Sequence, residues 1–491
     1  MNRALVLTGS VAGAVVVALD GTVLMVAQPA LRRDLDTSLA GAQWTGTAYL
    51  VAVAALLVVA GRFGDRHGHL RLYGVGMLGF GAVSAAIAAA PGVGWVIGLR
   101  VAQGVCGALL QPATLGMLRT AYPPEGLRRP IALRTAAIGL AVAVGPVMGG
   151  ALTSAFGWRS VFLVNVVPAA VCGTVALAAA RREPRRAPGV RAARPDLAGA
   201  LWLAVALAAL VHTLVEPSGA WALPGAALAV AAGAGFVRRE RRAPDPLLPP
   251  AVRRSPGVPA ALALLVTVSA ALNGALFCAV FVLQDGWGLD PLGTALTALP
   301  LAVLLVAAAP VGAVTLRRAG ARRTVAGAIG ALVAGLLVLA VAAEGDPASG
   351  PAVFCVGFAL LGAGFGAVMV AATHVVVRQV PAGSAGVAGG WQQTALNVGP
   401  VLGLAVATVL MGAGGDGRPL AGAAVPLVVL AAVTSAALPL CRVLPGRSRV
   451  LSPGAGSDGT APVPAGRSDV EHTVTGGERG VRGASLGHDE V

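Results

Sequence analysis

Apolar runs near twenty residues follow one another from residue 4 to residue 441, separated by short charged connections, and this leaves very few folds open. As an α-helix rising about 1.5 Å per residue, each run spans the roughly 30 Å of a hydrocarbon core. In lipid every backbone N–H and C=O must be satisfied within the segment, so such runs cross as helices. Fourteen can be counted, at 4–30, 42–60, 72–90, 94–117, 131–154, 160–180, 197–215, 220–237, 259–283, 292–314, 324–343, 351–375, 386–411 and 420–441. With 56% hydrophobic and only 12% charged residues, the chain is too apolar for a water-facing surface. It reads as an all-α polytopic membrane protein.

The net charge of +15 could suggest nucleic acid in a soluble protein. Here the arginines cluster at the ends of apolar runs, so they read as topology signals and no nucleic-acid partner is expected. Alternate connections are rich in Arg, among them Arg62, Arg66 and Arg71, then Arg119, Arg128 and Arg129, then Arg317, Arg318, Arg322 and Arg323. The intervening ones hold few, with acids such as Asp34, Asp36, Asp285 and Asp290. The positive-inside rule then places both termini in the cytoplasm and requires an even number of spans, which twelve or fourteen would satisfy. Residues 442–491, rich in Gly, Ser and acids, read as a disordered cytoplasmic tail. The apolar run after Arg3 continues past a signal-peptide core and is kept as the first span.

Three short segments recur at nearly one spacing. Ala18-Leu19-Asp20-Gly21 returns as Ala271-Leu272-Asn273-Gly274; Arg66, Gly68 and Arg71 return as Arg318, Gly320 and Arg323; Gly145-Pro146-Val147-Met148-Gly149 returns as Gly399-Pro400-Val401-Leu402-Gly403. Three echoes in one order mark two halves in parallel orientation. The expected organisation is a six-helix half over 1–180, a linker with two extra helices over 181–256, a second six-helix half over 257–441, and the tail.

Chemistry-bearing residues are few. Five scattered cysteines have no ligand spacing, so neither a disulfide framework nor a metal site is expected. Neither HExxH nor GxSxG occurs, and a chain without Lys has no Walker lysine, which argues against an enzyme and against ATP-driven pumping. Asp20 is the acid set well inside a span, about 15 Å from the outer end of the first run. Arg100 lies in the fourth, about 9 Å from the same surface, where it could snorkel outward or meet Asp20. A hydrogen-bonded structural Asp20 is the plainer alternative to a protonation site. Gly145, Gly149 and Gly150 flank Pro146 in the fifth run, a small-xxx-small face for close helix contact beside a helix-bending residue.

These residues together resemble the major facilitator superfamily. The loop from Gly61 to Arg71, with Gly61, Gly64, Asp65, Arg66, Gly68 and Arg71 in place, is similar to that family's signature between its second and third helices, although His69 and Leu70 stand where basic residues are usual. Leu99-Arg100-Val101-Ala102-Gln103-Gly104 and the first-run segment from Ala18 to Val23 resemble further motifs of its fourteen-helix drug:proton antiporter branch, and Gly145 to Gly150 resembles the antiporter motif of exporters. Trp158, Arg159, Phe162, Asn165 and Pro168 are similar to the exporters' sixth helix.

The resemblance implies two six-helix bundles plus two inserted helices in a bacterial cell membrane, and proton-coupled efflux of small amphipathic drugs or antibiotics by alternating access. It implies proton coupling at Asp20 and Arg100, gating by the Gly61–Arg71 loop, and a substrate cavity including Gln103, Asn273 and Gln284. It also implies a monomer that needs no cofactor, driven by the proton gradient. A same-fold transporter of a specific metabolite or amino-acid-like solute remains the alternative.

Overall fold

The computed structural model describes residues 3–123, 126–181, 196–215, 221–243, 246, 257–345, 350–379, 385–412 and 423–444; the 445–491 stretch of the expected tail and most of the inter-half connections lie outside them. The first half contains α1 (Arg3–Asp34), α2 (Leu39–His67), α3 (His69–Ala88), α4 (Val93–Ala121), α5 (Arg128–Phe156), a short α6 (Ser160–Leu163) and α7 (Val166–Arg181). Two further helices follow, α8 (Leu197–Val215) and α9 (Ala222–Arg242). The second half contains α10 (Val258–Phe281) with a π-turn at Val282–Gly286, α11 (Pro291–Thr297), α12 (Leu299–Ala343), α13 (Gly350–Gln379), α14 (Ala385–Gly412) and α15 (Ala424–Ala436).

Among the described residues, thirteen helical segments are long and apolar enough to cross a membrane, with α6 and α7 counted as one and α12 as parts of two. The expected span at 220–237 falls on α9, which forms a helix but does not meet that criterion: its last turns carry Arg238, Arg239, Glu240, Arg241 and Arg242. The long α12 is bent at Gly320, whose φ of 78° and ψ of 167° are non-helical. In the first half the matching turn is Gly68, with φ 92° and ψ 127°, between α2 and α3. Positive φ is cheap for glycine alone, so the two echoed glycines are what allow helices to fold back across so short a connection.

Close helix packing follows the glycines. A Cβ at Gly149 would stand 2.7 Å from the carbonyl oxygen of Val23, and one at Gly145 would meet Thr22, so α5 lies directly on α1. In the second half Gly399 and Gly403 seat α14 on Ser269 and Ala270 of α10 in the same manner. Pro146 is accommodated inside an unbroken α5. The inserted α8 sets Leu207 and Val211 against Val51 and Ala54 of α2 and Val401 and Ala405 of α14, covering the seam between the halves. Helix α9 leans on α8, with Gly235 against Trp202 and an ion pair from Arg239 to Asp196.

Candidate functional site

The lipid-length helices bring one ionic cluster into the interior of the first half. Asp20 on α1 and Arg100 on α4 meet at 2.6 Å, and each side chain is only 1% exposed. The guanidinium therefore faces inward, not toward the membrane surface. Its Nε donates to the Thr45 carbonyl oxygen of α2 at 2.8 Å. One helical turn along α4, on the same face as Arg100, Gln103 donates to the other Asp20 oxygen at 3.0 Å and accepts from Arg100. The Gln103 amide also donates to Ser84 on α3 at 2.8 Å.

A break between α6 and α7 supplies the last donor. Asn165 sits at that break, with its Nδ2 3.2 Å from Asp20. The Tyr49 and Phe162 rings lie 4.4 and 5.8 Å from the Arg100 guanidinium carbon, adding cation–π attraction in a site shut off from water. The carboxylate thus accepts from three side chains drawn from α4 and the α6–α7 break, and the cluster also touches α2 and α3. A buried pair holds only while both charges are present and bonded; removing one strands the other at a cost of about 3–5 kcal/mol.

The structure places the loop signature at one end of the first half. Gly64 is buried against the imidazole of His69, whose ring also presses on Gly116 of α4. Asp65 is 66% exposed, and its described ion pair is with His69, at 3.2 Å. Arg66 and Arg71 are exposed, and Gly61 is partly buried beside Pro112. The neighbouring Arg62 donates to the Pro246 carbonyl at 2.7 Å, connecting the loop to the segment after α9.

At the other end the two halves are tied together. Gln284, in the π-turn, donates to the Val26 carbonyl of α1 at 2.9 Å. Asp285 is held by Arg32 and Arg33, each at 3.1 Å. Gly150 is pressed against the Pro291 carbonyl, where a Cβ would stand 2.6 Å away, and Ser154 donates to Asp290 at 3.2 Å. Of the residues expected to line a substrate cavity, Gln103 is buried within the Asp20 network, Gln284 is buried between the halves, and Asn273 is half-buried with its amide on the Ser269 carbonyl of its own helix.

Asn165 belongs to the sixth-helix motif and contacts Asp20 as well; Ser84, Thr45 and Tyr49 carry no motif at all. For Ser84 and Tyr49 the one signal was to be polar residues inside apolar runs; Thr45 contributes a backbone carbonyl, which no side chain announces. Asp285 reads as a loop acid in the sequence and proves to be a tie between halves. Among the described residues no three His, Cys, Asp or Glu side chains gather as a metal site.

The family model described as Major Facilitator Superfamily matches residues 11–404. The chain is 40% identical over 411 residues to a tetracenomycin C resistance and export protein of Streptomyces glaucescens, covering 81% of this chain and 74% of that one. It is 33% identical over 404 residues to a probable actinorhodin transporter of Streptomyces coelicolor, covering 79% and 69%. Its fold is similar to the crystal structure of the peptide transporter POT in complex with sulfate, with a TM-score of 0.64, 14% identity, and coverage of 90% of this chain and 96% of that one.

Proposed function

Because the chain belongs to the Major Facilitator Superfamily and is a multi-pass transporter of the cell membrane, not an enzyme, we propose that it exports small amphipathic compounds in exchange for protons. The observation that carries the coupling is the Asp20–Arg100 pair, a carboxylate and a guanidinium 2.6 Å apart inside the bundle. Charges inside a membrane span are costly and mark ion or proton pathways. A proton arriving at Asp20 cancels the charge that holds Arg100, Gln103 and Asn165, so protonation loosens contacts among helices of the first half at once.

The positive-inside pattern puts the Arg32, Arg33 and Asp285 cluster on the outer side and the Gly61–Arg71 loop on the inner side. In this orientation the halves are joined outside by Gln284, Asp285 and Gly150, a geometry that admits substrate from the cytoplasm or inner leaflet. In the alternate state the outer ties part and substrate leaves; a proton taken up there by Asp20 returns the bundle to the inward-open state and is released to the cytoplasm, so proton and substrate move in opposite directions. The similarity to antibiotic export proteins supports export over import.

The test is drug accumulation in a pump-deficient bacterium expressing the chain, with and without a protonophore. Expression should lower accumulation of amphipathic drugs, and the protonophore should abolish the difference. Accumulation unchanged by expression across every drug class would contradict export.

A further inference from the structure

Among the described residues, three charged side chains lie more than a turn and a half from any helix end or break: Asp20, Arg100 and Arg134. The first two neutralise each other. Arg134, in the second turn of α5, has no acidic side chain within ion-pair distance among the described residues. Its Nε and one terminal nitrogen both donate to a single neutral acceptor, the Thr114 hydroxyl of α4, at 3.2 and 2.8 Å. The Thr114 hydroxyl in turn donates to the Gln111 carbonyl at 2.9 Å.

A guanidinium has five donor hydrogens in a planar fork, so a fork spent on one hydroxyl has donors to spare. Arg134 is about 9 Å into α5 by helix rise. It is only partly buried, as is Gln111 one turn along α4, whereas Thr114 beneath them is buried. Helix α5 is also the least enclosed of the candidate spans, with 11% of its apolar window buried. An uncompensated cation at this depth is unfavourable in the empty protein and becomes favourable when an anion pairs with it.

We propose that Arg134 anchors the ionised acidic group of the substrate, a carboxylate or phenolate, with Gln111 beside it, so that this transporter prefers anionic amphiphiles to cationic ones. The proposal rests on the export reading above and narrows its substrate class.

The experiment uses the purified full chain in liposomes and three pairs of dyes matched in ring system and opposite in charge, fluorescein against tetramethylrhodamine methyl ester among them. The wild type should transport the anionic member faster in each pair. Arg134→Gln should lower anion transport by about tenfold, the loss of a charge-assisted hydrogen-bonded pair, and leave cation transport within about twofold. Arg134→Lys, which keeps the charge but not the fork, should fall between them with the preference retained. A thermal midpoint for each variant separates a lost anchor from a lost fold, and if Arg134→Gln does not fold, the Lys variant alone decides by its intermediate rate. Equal anion transport by wild type and the folded variants, or a wild-type preference for the cations, overturns the assignment and leaves export standing. Transport of none of the dyes overturns both.

Discussion

Gly68 and Gly320 stand 252 residues apart in the chain and hold the same positive-φ backbone, at 92° and 78°, at corresponding turns of the two halves. The echo that joins Arg66, Gly68 and Arg71 to Arg318, Gly320 and Arg323 is therefore a repeat of conformation as well as of letters. What differs is charge: Asp65 has Arg317 at its counterpart, so an acidic group exists in the first copy alone.

Replacing Gly68 with Ala introduces no clash, since nothing lies within 4 Å of its Cβ position. The cost is backbone strain alone, about 1–3 kcal/mol for an L-residue held at so sparsely populated a φ and ψ. Gly68→Ala and Gly68→Asn should both lower the thermal midpoint measurably, because at a ψ of 127° the backbone lies outside the left-handed helical region that Asn tolerates.

Gly149→Ala should act differently, because the added methyl meets the Val23 carbonyl at 2.7 Å and forces α5 off α1. Overpacking of this kind costs about 1–3 kcal/mol. The expected outcome is a folded protein at normal membrane level with transport reduced by about tenfold or more, read in the same vesicles.

Much of this was legible in advance, for reasons that differ between residues. The spans showed because hydrocarbon leaves apolar length almost no alternative to helix, and α9 is the instructive exception: its apolar stretch is cut short by the Arg238–Arg242 cluster. The pairing of Asp20 with Arg100 showed because two opposite charges inside a membrane have few other partners. Ser84 and Asn165 did not show, since a hydroxyl or amide in a span can equally bond its own helix, as Thr22 does to Ala18 and Leu19; Thr45 did not show because it offers Arg100 a backbone carbonyl, which every residue carries. Docking of α8 on the α2–α14 seam depends on side-chain complementarity, which no periodicity encodes.

Asp285→Asn should weaken the tie between the halves. Both of its arginine partners are solvent-accessible, Arg33 to 53%, so the pairs contribute on the order of 1 kcal/mol together. Distance measurements between spin labels at the exposed residues 155 on α5 and 296 on α11 should show a larger separated population in the variant. Unchanged distances would mean that Gln284 and Gly150 hold the outer end without the ion pair.

Arg100→Ala leaves the Asp20 carboxylate buried beside two amides with no counter-charge. It should destabilise by about 3–5 kcal/mol, whereas the neutral double variant Asp20→Asn/Arg100→Met should recover much of that loss. Arg100→Lys should not restore function, because one ammonium cannot span both the Thr45 carbonyl and the Asp20 carboxylate in the geometry of the fork. Thermal midpoints of the three variants against wild type decide the order.

The measurement closest to the centre of the account is transport by Asp20→Asn in proteoliposomes, with and without an imposed pH gradient. Asparagine keeps the shape of the side chain but cannot take up the proton; it has one accepting oxygen in place of two and leaves Arg100 without its counter-charge, so a thermal midpoint for the variant is read beside its transport. The account predicts that gradient-driven substrate accumulation is lost while substrate exchange at equal pH persists. Gradient-driven accumulation at the wild-type rate would contradict it.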